Sequence, residues 1–226
     1  MPRHARIIAQ GFPHHITQRG NYRQDVFESD ADRRRYLFWI EEYSRKYNLS
    51  IIAYCLMTNH VHFIVIPKDE NSIARTFNTA HMCYSQYRNN KIGATGHLWQ
   101  GRFFSCVMDE RHLTIAARYI ERNPVRAHIV KRPYEYTWSS ANDHAHNTHT
   151  SIIDTGDFFE YVEIDQSRWK TFIDTPDDTE EVSAIRKKTM TGRPLGSESF
   201  IKKLEERLGE RLNALPVGRP KKGENK

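Results

Sequence analysis

Two short apolar runs separated by only two residues constrain the fold of this chain more than any other feature of its sequence. Residues 51–57 and 60–66 are rich in β-branched and aromatic residues, and Thr58 and Asn59 lie between them. Pro67 ends the second run, because proline has no N–H to donate within a sheet. A connection this short joins antiparallel neighbours. The pattern therefore predicts a β-hairpin.

Further strands and helices are predicted on both sides of this hairpin. Residues 12–20 and 103–108 each predict a strand. Apolar residues recur at helical spacing after Asp30, which is expected to cap that helix, and again over residues 72–87. A third helix is predicted over residues 109–123, where Pro124 ends it. The order is that of a ferredoxin-like βαββαβ α+β domain, an antiparallel sheet with helices on one face, followed by a terminal helix.

The net charge changes sign twice along the chain. Residues 1–142 contain 20 Lys and Arg against 12 Asp and Glu, residues 143–180 contain 2 against 10, and residues 181–226 contain 12 against 6. We expect one domain over residues 1–142, an acidic linker or accessory segment over residues 143–180, and a basic C-terminal helix with a disordered tail over residues 181–226.

The two later segments have weaker structural patterns. Residues 143–150 place three histidines among small polar residues and are expected to form a loop. Residues 158–173 predict an acidic helix or hairpin. Ser197 is expected to cap a last helix, and the tail from Gly218 is expected to be disordered.

The composition favours a phosphate-rich partner and a cytoplasmic location. No run approaches the about 20 apolar residues that span a bilayer, and the first residues lead into no signal-peptide region. Three cysteines stand far apart, which fits neither a disulfide framework nor a paired-cysteine zinc site. The two basic blocks favour polyanions, because neutralised phosphates release counterions. We expect no association with a membrane.

His60 and His62 are the first candidate metal ligands. Side chains two apart on a strand point to the same face, so both imidazoles could bind one ion. A His-x-His sequence is unspecific by itself, and two polar residues on an exposed face would give the same pattern.

Tyr119 and Asn123 are the second candidate pair. They lie one helical turn apart and therefore on one side of the predicted helix. Leu113 and Ile120 occupy its core side, from which Tyr119 is offset by about 100°. A helical tyrosine usually packs in a core, but this offset leaves Tyr119 available for chemistry.

Several ordered motifs together resemble the single-tyrosine HUH transposases, and among them the REP-associated tyrosine transposases. The resemblance covers about residues 1–142 and is carried by five segments, residues 13–21, 54–62, 96–103, 119–127 and 136–140. One departure is visible at the hairpin turn, where Thr58 stands at a position that is commonly proline in the family.

The resemblance implies an activity and a site. It implies a metal site of His60, His62 and Asn123, a tyrosine nucleophile at Tyr119, and Mg²⁺ or Mn²⁺ as the cofactor. The implied enzyme is a single-stranded DNA endonuclease and strand transferase that forms a 5′-phosphotyrosine intermediate during DNA transposition. Its implied partner is single-stranded DNA with a REP-like hairpin, which suggests a nucleoid-associated protein. A monomer and a homodimer both remain open.

Other residues are candidates for DNA contacts. Arginines could bind phosphates and aromatic residues could stack on bases, although a solvated helix face and an aromatic core would give the same pattern. The candidates are Arg102, Arg118, Arg122, Arg126, Trp99, Phe103 and Phe104, with Arg193 and Arg219 in the basic C-terminal part. Arg118, Arg122 and Arg126 follow four-residue spacing and could form one basic stripe. A structural role is favoured for His14 and His15, and a solvated loop for His144, His146 and His149.

Three alternative functions are weighed against a transposase. A DNA-binding regulator derived from a transposase would not need the complete set of Tyr119, His60, His62 and Asn123. A replication initiator or relaxase usually carries a helicase or primase-like region, for which the residues after 142 are too few. A zinc hydrolase would require a further His, Asp or Glu at ligand spacing, and none is evident beside the strand.

Overall fold

The structure, a computed structural model, describes residues 6–149, 153, 155–156 and 158–212. Its first part contains, in chain order, β1 (His14–Arg19), α1 (Asp30–Lys46), β2 (Leu49–Leu56), β3 (His60–Pro67), α2 (Ser72–Ile92), β4 (Phe104–Val107) and α3 (Glu110–Glu121). Its second part contains α4 (Asn123–Arg126), α5 (Ala141–His146), α6 (Phe158–Tyr161), α7 (Gln166–Asp174), α8 (Thr179–Thr191) and α9 (Glu198–Leu208). Single 3-10 turns lie at Asn21–Arg23 and Pro133–Glu135.

The four strands form one antiparallel sheet in the order β2-β3-β1-β4. This order and the βαββαβ succession confirm the predicted ferredoxin-like α+β fold. In the register of the two central strands, His60 pairs with Arg19, His62 with Thr17, and Ile64 with His15. Because side chains alternate along a strand, His60, His62 and His15 share one face of the sheet.

Helices α1 and α2 pack on the other face of the sheet. Their apolar residues meet Phe63, Val65 and other sheet residues in a single buried cluster. The rings of Phe63 and Phe77 lie 5.3 Å apart, and burying a phenylalanine stabilises a fold by about 1.5–3 kcal/mol. Helix α1 begins with a capping box formed by Ser29 and Asp32, so the cap is Ser29 rather than the expected Asp30. Helix α2 runs to Ile92, where Gly93 adopts the left-handed conformation.

The second part of the chain covers the face that carries the histidines. Trp169 of α7 and Ile185 of α8 are buried in one apolar cluster with residues of the sheet and of α3. The predicted boundary at residue 142 falls inside α5, and the acidic segment packs on the sheet. Helices α1 and α2 are therefore on one face as predicted, and the helices from α3 to α8 add a layer on the other.

The loop expected over residues 143–150 is wrong for residues 143–146, which belong to α5. His144 is buried, its ring stacks on Phe158 with centroids 3.7 Å apart, and its Nδ1 bonds Glu121 at 2.6 Å. These partners lie far along the chain, so the local run of small polar residues contained no sign of them. The expected helix over residues 158–173 is realised as α6 and α7 rather than as a hairpin.

The C-terminal elements complete the fold. Ser197 caps α9 as predicted, since its hydroxyl accepts a hydrogen bond from the N–H of Phe200. Helix α8 was not predicted. The tail from Gly218, including Arg219, lies outside the described residues. None of the helices within the described ranges combines the length and apolar character that a membrane crossing requires.

Candidate active site

The rings of His60 and His62 lie side by side at the start of β3. Their centroids are 5.0 Å apart and their planes are nearly perpendicular, at 84°. The hairpin turn precedes His60 directly, so His60 is partly exposed while His62 is buried. Both rings face the layer formed by α3 and α8, which places them between the sheet and the tyrosine helix.

The Nδ1 atoms of both rings are occupied by hydrogen bonds. His60 Nδ1 donates to the carbonyl Oδ1 of Asn59 at 2.7 Å. His62 Nδ1 lies 2.9 Å from Nε2 of His15, and His15 Nδ1 lies 2.9 Å from the hydroxyl of Thr189. This chain of contacts allows His62 to carry its proton on Nδ1. Both rings then offer Nε2 as a ligand, with the ring orientation fixed from behind.

Burial keeps these imidazoles neutral. It lowers the pKa of His60 to about 4, and the positive charges of Arg19 and Arg126 add to the shift. Burial also lowers the pKa of His62 well below its ordinary value, with smaller effects from His60 and His15. The neutral imidazole is the form that binds a metal ion, so both rings are in a binding-competent state at neutral pH.

Asn123 lies against His60. Its amide Nδ2 is 3.3 Å from His60 Nε2, and rotation of the amide would bring Oδ1 to the same place. Pro124 does not simply stop the preceding helix as predicted. Helix α3 ends at Glu121, and Asn123 and Pro124 open the one-turn helix α4, because proline suits the first turn of a helix.

The donor set fits a divalent cation. No group of three or more His, Cys, Asp and Glu side chains in the described part of the chain could hold a metal ion. A metal at this site therefore depends on the amide oxygen of Asn123 as a third protein ligand beside His60 and His62. Two neutral imidazoles and one amide oxygen suit Mn²⁺ and, with water ligands, Mg²⁺.

Tyr119 lies at the same point of the fold. Its ring meets the rings of His62 and His15 edge to face, with centroids 5.8 and 6.0 Å apart. The guanidinium carbon of Arg126 lies 4.3 Å from the centroid of the phenol ring, and Arg186 Nε donates to its hydroxyl at 3.4 Å. The side chain is only 6% exposed. The phenol is thus held between the histidines and two positive charges.

The predicted basic stripe of Arg118, Arg122 and Arg126 is engaged within the protein. Arg118 Nη2 donates to the carbonyl of Thr175 at 2.8 Å. Asp177 pairs with Arg122 at 3.1 Å and with Arg126 at 3.2 Å. The three arginines lie together, as their four-residue spacing predicted. Residues of the acidic segment 143–180 cover them.

The remaining predicted DNA contacts lie in different surroundings. Trp99 is 8% exposed and packs in the core, where its Nε1 donates to the carbonyl of His81. Phe103 is also buried, whereas Phe104 is half-buried and Arg102 is exposed. Arg193 is half-buried, and its carbonyl accepts a bond from Cys106. Of these residues, Arg102 is exposed and could contact DNA, whereas Trp99 and Phe103 are buried in the core.

Histidine 15 supports the site, whereas His14 does not. The sequence favoured a structural role for both, and His14 has one, since its Nδ1 donates to the carbonyl of Phe12 and its Nε2 accepts from the N–H of Ala9. His15 instead holds the ring of His62. The only sequence signal for this difference is that His15, Thr17 and Arg19 alternate onto the same face of β1.

Three residues of the site were not found from the sequence. Thr189 and Arg186 of α8, and Asp177 just before it, all reach the face that carries Tyr119. No motif marks them, because they lie in a segment characterised only by its charge. Their contribution depends on how α8 docks on the sheet.

Two comparisons with known proteins found a match to this chain. A family model described as transposase IS200 like matches residues 10–123, just over half of the chain. The solved structure of a REP-associated tyrosine transposase bound to a REP hairpin is similar, with a TM-score of 0.52 and 20% identity. That match covers 73% of this chain and 99% of the other. At this identity the likeness shows the fold alone.

Among curated proteins, none matches this chain. The family match nevertheless includes the segment of residues 13–21, the His60–His62 pair, Tyr119 and Asn123. The resemblance drawn from the sequence is confirmed at the level of the family, and the similar structure is that of a REP-associated tyrosine transposase. The chain belongs to the IS200-like transposase family.

Proposed function

We propose that this protein is a single-stranded DNA endonuclease and strand transferase whose nucleophile is Tyr119. The observation that carries the proposal is the convergence of three elements on one point. The centroid of the Tyr119 phenol ring lies 5.8 Å from the centroid of the His62 imidazole ring. The amide Nδ2 of Asn123 lies 3.3 Å from His60 Nε2. A nucleophile and a set of metal ligands therefore face the same small volume.

The reaction is a transesterification. The hydroxyl oxygen of Tyr119 attacks the phosphorus of a phosphodiester in line with the 3′ oxygen. The bond from phosphorus to the tyrosine oxygen forms as the bond to the 3′ oxygen breaks. The phenol loses its proton to solvent, and the 3′ oxygen takes up a proton as a hydroxyl. The products are a 5′-phosphotyrosine and a free 3′-hydroxyl, and a second 3′-hydroxyl can reverse the step and join strands.

His60, His62 and Asn123 would hold Mg²⁺ or Mn²⁺, which, when bound, polarises the scissile phosphate and offsets its negative charge. The side chains do the rest of the work. His15 and Asn59 fix the orientation of the two ligand rings through their Nδ1 atoms. Arg186 and Arg126 place positive charge beside the phenol, which favours an approaching phosphate.

The proposed substrate is single-stranded DNA with a hairpin. Support comes from the similar structure, which contains a REP hairpin bound to a REP-associated tyrosine transposase. It comes also from two exposed arginines, Arg19, which pairs with His60 across the sheet, and Arg102. Phosphate contacts of this kind position a strand without reading its sequence.

The test uses single-stranded oligonucleotides from the DNA that flanks the gene for this protein. Each is incubated with the protein and Mn²⁺ or Mg²⁺, and a covalent adduct is detected by denaturing electrophoresis. We expect an adduct with the unmodified protein and with Tyr47→Phe, a control on the opposite face of the sheet. We expect none with Tyr119→Phe.

The metal site is tested separately by titrating Mn²⁺ without DNA and following the loss of the free-ion signal by electron paramagnetic resonance. His62→Gln should weaken Mn²⁺ binding, and His146→Gln, which lies outside the site, should not. Undiminished Mn²⁺ binding in His62→Gln would contradict the assigned ligands. An adduct formed equally well by Tyr119→Phe would contradict the assigned nucleophile.

A further inference from the structure

A fully exposed tyrosine projects from the turn that connects β1 to α1. Tyr22 is 94% exposed. Its backbone φ is 51°, and that of the following Arg23 is 61°. Two successive non-glycine residues in the left-handed region are uncommon, and a bulky aromatic residue there is unfavourable. Because the ring is exposed, its burial does not offset the cost of this backbone conformation. The stability of the fold therefore does not explain why a tyrosine stands at position 22.

The backbone of this turn is held in place by hydrogen bonds. The N–H of Asn21 donates to the carbonyl of Leu98 at 2.8 Å, and that of Gln24 donates to the carbonyl of Asn21 at 2.9 Å. Gly20 has no room for a side chain, because a Cβ atom there would lie 2.3 Å from the carbonyl oxygen of Gln24. The ring of Tyr22 is therefore presented to solvent from a fixed backbone.

The turn lies directly beside the candidate metal ligands. The N–H of Gly20 donates to the carbonyl of Asn59 at 2.9 Å, and Asn59 Nδ2 donates to the carbonyl of Arg23 at 3.2 Å. The Oδ1 atom of the same Asn59 accepts the bond from His60 Nδ1. One asparagine thus connects the Tyr22 turn to the ring of His60.

Two exposed arginines flank the tyrosine in sequence. Arg19 ends β1 opposite His60, and Arg23 follows Tyr22. Aromatic rings bordered by positive charges form the usual platform for unpaired bases, because bases stack on the ring while phosphates meet the cations. In a duplex both faces of each base are already stacked, so such a platform selects an unpaired strand.

We propose that Tyr22 stacks on an unpaired base next to the phosphate that the site cleaves, with Arg19 and Arg23 contacting the adjacent phosphates. This assignment rests on the proposed function for the identity of the strand. It adds a binding subsite formed by the turn between β1 and α1. The subsite holds a nucleotide beside His60 and thereby positions the neighbouring phosphate.

The experiment measures binding without cleavage. Single-stranded oligonucleotides from the DNA flanking the gene, each with one base replaced by 2-aminopurine, are titrated with the protein in the absence of divalent ions. Stacking quenches the fluorescence of that base. Tyr22→Asn removes the ring and keeps a residue that tolerates the left-handed backbone. Tyr22→Phe keeps the ring, and Phe38→Ala removes an aromatic side chain that is 53% exposed on α1.

We expect Tyr22→Asn to weaken binding by about 5- to 150-fold, the range for loss of one base–aromatic stack. One labelled position should lose its quenching at the same time. Tyr22→Phe and Phe38→Ala should bind like the unmodified protein, and circular dichroism should show all variants folded. Equal affinity and equal quenching in Tyr22→Asn would overturn the stacking proposal.

The outcome is independent of the proposed nucleophile, because no bond is broken in this assay. Loss of binding in Tyr22→Asn together with no covalent adduct in the cleavage assay would support the subsite and contradict strand cleavage. Unchanged binding in Tyr22→Asn together with an adduct at Tyr119 would support strand cleavage and overturn the subsite.

Discussion

Arg186 and Tyr119, which are 67 residues apart, are joined by a hydrogen bond of 3.4 Å from the guanidinium Nε to the phenol oxygen. Arg186 lies on α8 and Tyr119 on α3. Helix α8 also contributes Thr189, which contacts the Nδ1 atom of His15. A helix from the C-terminal part of the chain therefore contacts a nucleophile candidate and ligand candidates that all belong to the first 123 residues.

Arg186→Gln should slow formation of the covalent adduct by about 2- to 10-fold, the effect of losing one hydrogen bond that solvent partly screens. The guanidinium lies beside the oxygen of the proposed nucleophile, so we expect it to orient the phenol and to attract the phosphate. The measurement is the single-turnover rate with saturating DNA. Lys187→Gln is the matched control, and equal rates for the two variants would contradict this role.

Asp177→Asn should strengthen binding of single-stranded DNA. Asp177 pairs with Arg122 and Arg126, and its loss would free both for phosphates. Two additional phosphate contacts would steepen the slope of log affinity against log salt by up to about 1.4. Asp174→Asn makes the same charge change where it contacts Tyr134 instead. Identical slopes for the two variants would show that Asp177 does not mask the arginines.

Glu121→Ala should lower the free energy of unfolding by about 3–5 kcal/mol. The carboxylate is fully buried and accepts bonds from Ser140 at 2.7 Å, His144 at 2.6 Å and Trp169 Nε1 at 3.0 Å. Its removal leaves these groups without their partner. Urea unfolding measures the change, and Glu110→Ala at the exposed start of α3 should cost less than about 1 kcal/mol. A loss of less than about 1 kcal/mol for Glu121→Ala would show that its hydrogen bonds to Ser140, His144 and Trp169 do not stabilise the fold.

Acidification should destabilise the protein partly through His81. Burial lowers the pKa of His81 to about 3, and Arg6 adds to the shift. Between pH 6.5 and about 3, His81 is protonated in the unfolded chain but not in the folded protein. The free energy of unfolding therefore decreases as the pH is lowered, by up to about 1.4 kcal/mol per pH unit. His81→Gln should therefore lose about 2–3 kcal/mol less than the unmodified protein between about pH 7 and pH 4.5. Urea unfolding at each pH measures this, with exposed His97→Gln as the control. If the free energy of unfolding of His81→Gln and of His97→Gln had the same dependence on pH, His81 would not be the source of the acid sensitivity.

The hairpin and the shared face of His60 and His62 could be predicted from the sequence because alternation along a strand is a local property. Four-residue spacing also predicted that Tyr119 and Asn123 lie on one side of a helix. Both do lie beside the histidine pair, although α3 ends at Glu121 and Asn123 begins α4. The family motifs then connected the two pairs, which local patterns alone could not do. These are the parts of the fold and the site where sequence and structure agree.

The contribution of the acidic segment could not be predicted, because it depends on contacts between distant residues. Four-residue spacing placed Arg118, Arg122 and Arg126 together, but nothing local indicated that Asp177 lies opposite them. Trp99 shows the reverse case. An aromatic residue in a Gly-rich segment could stack on bases or enter the core, and only the packing of α1 and α2 decides that it is buried.

The most direct test of the account is to identify the residue that carries the DNA. Adduct formed with Mn²⁺ is digested with a nuclease and with trypsin and analysed by mass spectrometry. Trypsin cleaves after Arg118 and Arg122, so residues 119–122 are released with a single tyrosine. We predict a 5′-phosphonucleotide on this peptide at Tyr119. A nucleotide on any other residue would show that Tyr119 is not the nucleophile.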